Sequence, residues 1–111
     1  NMTWKDYEIK QQEICTKYET NWKATAPDTI IGLAKDMNQT PIYGIRYLSG
    51  WMIWSGENTG DDDFFEPTHA AHLVDVFPNI IHYLGLDAGW AFLIDKAGYE
   101  DVWFDEKYLI E

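Results

Sequence analysis

Cysteine is almost missing from this chain. One residue, Cys15, among 111 excludes an internal disulfide framework and a multi-cysteine zinc site. Proline and glycine are sparse, with 4 and 8 residues, which excludes a collagen-like or low-complexity chain. No apolar run approaches the roughly 18 residues that a membrane-spanning helix needs. No basic stretch followed by an apolar block opens the sequence, so no secretion signal is expected and the expected location is the cytoplasm. The most informative shortage is of basic side chains. There are 8 Lys and Arg against 19 Asp and Glu, a net charge of -11. The shortage is one-sided. Residues 1–55 carry six basic and six acidic side chains, whereas residues 56–111 carry Lys96 and Lys107 against thirteen acids. Nucleic acid and anionic membranes are therefore poor partners, because binding would bring like charges together. A basic protein or a cation is the natural partner, although acidic surfaces also serve simply to keep small domains soluble.

Apolar residues are plentiful, at 46% hydrophobic and 16% aromatic. A length of 111 residues predicts one domain, spanning 1–111, with a single core. Thr3 followed by Asp6 is a weak form of the capping box that opens helices. Trp4, Tyr7, Ile14, Tyr18 and Trp22 recur at helical spacing, which predicts an amphipathic helix over about residues 4–23 with this stripe packed inward. Residues 29–34 and 42–47 are rich in β-branched and aromatic side chains and read as strands. Trp51-Met52-Ile53-Trp54 is apolar at every position, so it is expected as a central strand buried on both faces. A helical piece is expected from Thr68 to Val76. A second is expected with Pro78 in its first turn, Ile80, Ile81 and Leu84 buried, and Gly85 as its stop. Trp90–Ile94 and Tyr99–Phe104 should form a hairpin, because Asp95 and Gly98 suit the ends of a type I turn. Asp105 to Glu111 reads as a polar tail with Tyr108, Leu109 and Ile110 available to dock.

The fold expected from these elements is α+β. A long N-terminal helix packs on a mixed or antiparallel sheet of four to six short strands, with one or two short helices.

Chemical motifs are few. His69 and His72 lie three apart, so on one helix they would share a face and hold a metal with Asp75 or His82. Ordinary surface or half-buried histidines are far commoner. Residues 57–66 hold five acids and no base: Glu57, Asp61, Asp62, Asp63 and Glu66. Carboxylates in that number suit calcium, but the loop lacks EF-hand spacing. They equally suit a solvated loop or a protein-binding loop. Phe64 and Phe65 interrupt the acids. One is expected to anchor the loop in the core and the other to face a partner, since aromatics ringed by charge are common in binding hot spots. Cys15 falls near the inner face of the first helix, where a thiol is inert. No nucleophile elbow, H-E-x-x-H pair or phosphate loop occurs. No catalytic residue, metal ligand or cofactor is assigned.

Ser49-Gly50-Trp51, then Ser55-Gly56-Glu57 with acids behind it, then Pro78-Asn79-Ile80 and Gly89-Trp90-Ala91-Phe92 with Asp95 and Gly98, form an ordered series. It resembles the bacterial immunity-protein family of polymorphic toxin systems called type 33, formerly a domain of unknown function numbered 2185. The resemblance covers about residues 29–105 and leaves out the N-terminal helix. It implies a non-enzymatic protein that binds and neutralises a cognate toxin. Gly50, Gly56 and Gly89 would then serve special backbone angles, and Trp51 and Phe92 the core. Combined with the charge distribution, the expected partner is a basic protein toxin. Its binding residues are expected at Glu57, Asp61, Asp62, Asp63, Phe64, Phe65, Glu66, Glu100 and Asp101. The competing reading is a regulatory or housekeeping domain that binds a small ligand or metal at His69 and His72.

Overall fold

The computed structural model describes residues 1–110. The chain divides into two compact units, each built from two stretches. Residues 1–30 with 69–87 form one, and residues 31–68 with those from Ala88 onward form the other. Neither unit is continuous in sequence.

The first unit begins with α1 (Trp4–Lys17). Its capping box is complete: Asp6 N donates to Thr3 Oγ1 at 3.3 Å and Thr3 N donates to Asp6 Oδ2 at 2.8 Å. Hydrogen bonding from the Thr3 backbone, then from its side chain, holds the Asp6 carboxyl below its ordinary value. The helix ends at Lys17, short of residue 23. Glu19 turns left-handed at φ 54°. Glu19 N then donates to the Thr16 carbonyl and Thr20 N to the Cys15 carbonyl. This is a Schellman stop, a role in which glycine is usual and glutamate is not, so the sequence carried no warning of it.

The inner ridge of α1 is Tyr7, Gln11 and Cys15, at strict four-residue spacing. Of the aromatic stripe, Tyr7 alone is buried: Trp4, Ile14 and Tyr18 stay half-buried, and Trp22 lies beyond the helix, 38% exposed. Gln11 is fully buried. Its Nε2 donates to the Ile81 carbonyl (3.1 Å), and its Oε1 accepts from Trp22 Nε1 (3.0 Å).

Two short helices complete this unit, α2 (Leu73–Val76) and α3 (Pro78–Ile81). Phe77, at φ -147° and ψ 64°, separates them, and Pro78 opens α3 as expected. Ile80, Ile81 and Leu84 are buried. Beyond α3, groups from elsewhere in this unit bond to the chain's carbonyls, as is usual at a helix end. Thr25 Oγ1 donates to Leu84 O at 2.6 Å. Cys15 Sγ (3.4 Å) and Lys23 N (2.7 Å) donate to Gly85 O. Gly85 does not supply a left-handed turn. It admits close approach, since a Cβ there would meet Gln11 Cβ at 2.8 Å and the Trp22 indole. The helical piece expected from Thr68 is a 3-10 turn, Ala70–His72, running into α2. Ala70 N and Ala71 N anchor it on the Thr29 and Pro27 carbonyls, both at 2.9 Å. His69 precedes this turn as the last residue of a strand, so His69 and His72 do not share a helical face.

The second unit is a six-stranded mixed sheet. Its strands are β1 (Ile30–Ala34), β2 (Ile42–Tyr47), β3 (Gly50–Ser55), β4 (Phe65–His69), β5 (Trp90–Ile94) and β6 (Glu100–Phe104). Their spatial order is β4-β1-β3-β2-β5-β6. β1 runs parallel to β3, while β2–β3, β2–β5 and β5–β6 are antiparallel. β4 was not expected: its sequence holds Glu66 and Pro67. A proline donates nothing to a ladder and is tolerated at a sheet edge, where β4 lies.

β3 sits centrally, as its apolar sequence predicts, but it is not buried on both faces. Trp51, Ile53 and Ser55 are buried, whereas Met52 and Trp54 are half-buried. The register separates two faces. Ile31, Leu33, Trp51, Ile53, Phe92 and Val102 share the inner one and are all buried. Phe92 faces Gly44 across the strands. Its ring occupies the space a Cβ at Gly44 would need. Gly50 (φ 128°), Gly56 (φ 65°) and Gly89 (φ 92°) all adopt left-handed angles, as the motif series implied. The turn Asp95–Gly98 is held by Asp95 Oδ1, which accepts from Ala97 N and Tyr99 N, both at 2.9 Å.

Candidate functional site

The acidic segment connects β3 to β4. Gly56 leaves the sheet left-handed, with its N–H donating to the Pro41 carbonyl at 3.0 Å. Glu57, Asp61, Asp62 and Asp63 are all exposed. The loop bonds to itself: Gly60 N donates to Asn58 Oδ1 (2.9 Å), Thr59 Oγ1 to Asp61 Oδ2 (3.0 Å), and backbone Phe64 N to the Asp61 carbonyl (3.1 Å). Lys35 Nζ reaches Asp63 Oδ2 at 3.4 Å. Both partners are well exposed, so the pair adds little stability.

Phe64 and Phe65 follow at once. The expectation of one buried and one exposed ring is not met, since both are half-buried. They meet edge to face, 4.9 Å between centroids. Phe65 also meets Trp54 edge to face at 6.2 Å. β1 lies between β4 and β3, and the Met52 side chain lies over Gly32. A Cβ on Gly32 would meet Met52 Sδ at 2.6 Å and Phe65 Cβ at 3.6 Å. The acids and the aromatic pair are thereby brought together at one end of the sheet.

The remaining expected residues divide. Glu66 is exposed and follows Phe65 in β4, so strand alternation turns it to the opposite face. Glu100 and Asp101 in β6 likewise point to opposite faces. Glu100 pairs with Ile94 and is half-buried, whereas Asp101 pairs with Leu93 and is exposed. Asp101 therefore shares the face of Trp54 and Phe65, and Glu100 does not. Sequence reasoning grouped these residues by charge. It missed Tyr43, Trp54 and Leu93, which lie on that same face. The signal available was the alternation within β2 and β3, masked in β3 by apolar residues at every position.

No group of three or more His, Cys, Asp or Glu side chains converges to hold a metal ion among the described residues. His69 is in β4, His72 in the 3-10 turn, and His82 just after α3. Burial pushes the Cys15 thiol up, which keeps it from acting as a thiolate nucleophile. No helix among the described residues is long and apolar enough to cross a membrane. What the arrangement offers is recognition: exposed carboxylates beside half-exposed rings.

No curated protein and no solved structure matches this chain. A family model does, described as the Imm33-like domain, over residues 10–105. The match begins inside α1, so most of that helix belongs to the pattern, which the motif series alone placed outside it. Reaching from α1 past the end of β6, it establishes that the chain belongs to the Imm33-like domain family.

Proposed function

We propose that this protein is an immunity protein: it binds a cognate toxin of basic surface and neutralises it without chemistry of its own. Membership of the Imm33-like family over residues 10–105 carries this reading. The exposed acids at 57–63 beside Phe64 and Phe65 support it. Thirteen of the 19 acids lie in residues 56–111 with only two bases, so a basic partner is drawn in at long range. Partly buried aromatics then slow its release. Glu57, Asp61, Asp62, Asp63, Phe64, Phe65 and Asp101 form the contact set in this reading, with Glu66 and Glu100 at its margin. The mode of inhibition is occlusion, with an acidic face covering a basic toxin surface. The protein acts in the cytoplasm, where a toxin entering or made in the cell is met.

The test is co-expression with the toxin gene beside this one. Cells carrying both should grow, and cells carrying the toxin alone should not. Equal killing with and without this protein, for every neighbouring toxin candidate, removes the proposal.

A further inference from the structure

One aromatic row crosses nearly the whole sheet on the face of Trp54. Phe65 of β4 meets Trp54 of β3 across β1, edge to face at 6.2 Å. Trp54 pairs in register with Tyr43 of β2, and the two rings stack at 5.2 Å with 16° between planes. Tyr43 pairs with Leu93 of β5, and Leu93 with Asp101 of β6. Phe65, Trp54, Tyr43 and Leu93 are all half-buried. The far end of the same face is closed by the chain itself. Tyr108 meets Tyr47 edge to face at 5.9 Å, and its hydroxyl accepts from Trp103 Nε1 at 3.2 Å. The open stretch is thus the row from Phe65 to Leu93, with carboxylates at both ends: Asp61, Asp62 and Asp63 before Phe64, and Asp101 beside Leu93.

We propose that this row is the docking platform for a cationic segment of the toxin, whose arginine or lysine side chains lie along the Tyr43–Trp54 stack between the loop carboxylates and that of Asp101. The proposal rests on the immunity reading above and names the surface that performs it. Charge selects the occupant. A lysine or arginine lays its apolar stem along half-buried rings while keeping its charged head in water, here beside the flanking acids, whose charge attracts it. A second copy of this chain fits poorly, because it would set acids against acids in a molecule of net charge -11.

The test measures binding of the purified product of the neighbouring toxin gene, inactivated at its own catalytic site, to the full chain. Trp54→Ala should weaken binding about thirtyfold or more, as truncation of a central aromatic anchor does, while Trp54→Phe should keep most of it. Leu93→Arg places a like charge in the row and should weaken binding comparably even if Trp54→Ala does not fold. Loss of binding in well-folded variants supports the platform. If the wild type binds and these variants bind equally well, the platform is overturned while the immunity reading stands. Should the wild type bind no neighbouring toxin, the immunity reading falls and the platform with it. If sedimentation shows a dimer that Leu93→Arg dissociates, the occupant is a second copy and the proposal is wrong.

Discussion

Gln11 reads in the sequence as one more polar residue on a polar helix, yet it is fully buried and joins three parts of one unit. It donates to Ile81 O and accepts from Trp22 Nε1. Gln11→Ala removes both bonds and leaves a void, so unfolding free energy measured in urea should fall by about 2–4 kcal/mol. Gln11→Glu should cost at least as much, because a buried carboxylate would face a carbonyl oxygen. His82 offers a pH test. Burial, then Lys10, hold its imidazole below the ordinary value of 6.5, against an opposing pull from Glu13. Its ring lies 6.1 Å from that of Tyr7. The fold therefore favours the neutral ring. The stability this contributes is present above about pH 6.5 and is lost as pH falls through the folded value. A melting series from about pH 7.5 to about pH 5 should show His82→Gln declining less steeply than wild type. Parallel declines would mean that His82 does not contribute.

At the scale of elements, the legible ones were those with local signals. Thr3 and Asp6 announced α1, Pro78 announced α3, and Asp95 with Gly98 announced the β5–β6 hairpin. The end of α1 was illegible because Glu19 takes the left-handed angle that glycine would have advertised. Glu19→Gly should accordingly raise stability by about 1 kcal/mol, since a side chain in that conformation costs about that much. A lower melting temperature would show that the glutamate side chain contributes more than its backbone costs. β4 was illegible for a different reason. Its residues, with a proline and a glutamate among five, form a strand only because β1 lies beside them, and a neighbour distant in sequence leaves no local trace. The same holds for the aromatic row. Its members were each visible as aromatic or apolar, but pairing β1 with β3 and β2 with β5 is what lines them up.

For the whole molecule, the charge asymmetry was fully visible and the placement of the charges only partly so. The loop acids repel one another in the free protein, and the ion pair Lys35–Asp63 is well exposed. Changing Asp61, Asp62 and Asp63 together to Asn should leave the melting temperature within about 2 °C or slightly higher. Association with the toxin should slow about tenfold or more at low salt, and little at high salt, because exposed charges are screened. A variant that melts early and associates at the wild-type rate would mark these carboxylates as structural.

The interleaving of the two units has a consequence for a chain cut in the acidic loop. Cleavage after Gly60 would part α1 and β1 to β3 from β4, α2, α3, β5 and β6. Each piece would then hold only a fraction of both units. Neither has a complete hydrophobic core, so each should be unfolded alone and the two should order together when mixed, both units at once. Fused to two proteins that bind each other, its halves should report their meeting by the recovery of a fold that neither carries by itself.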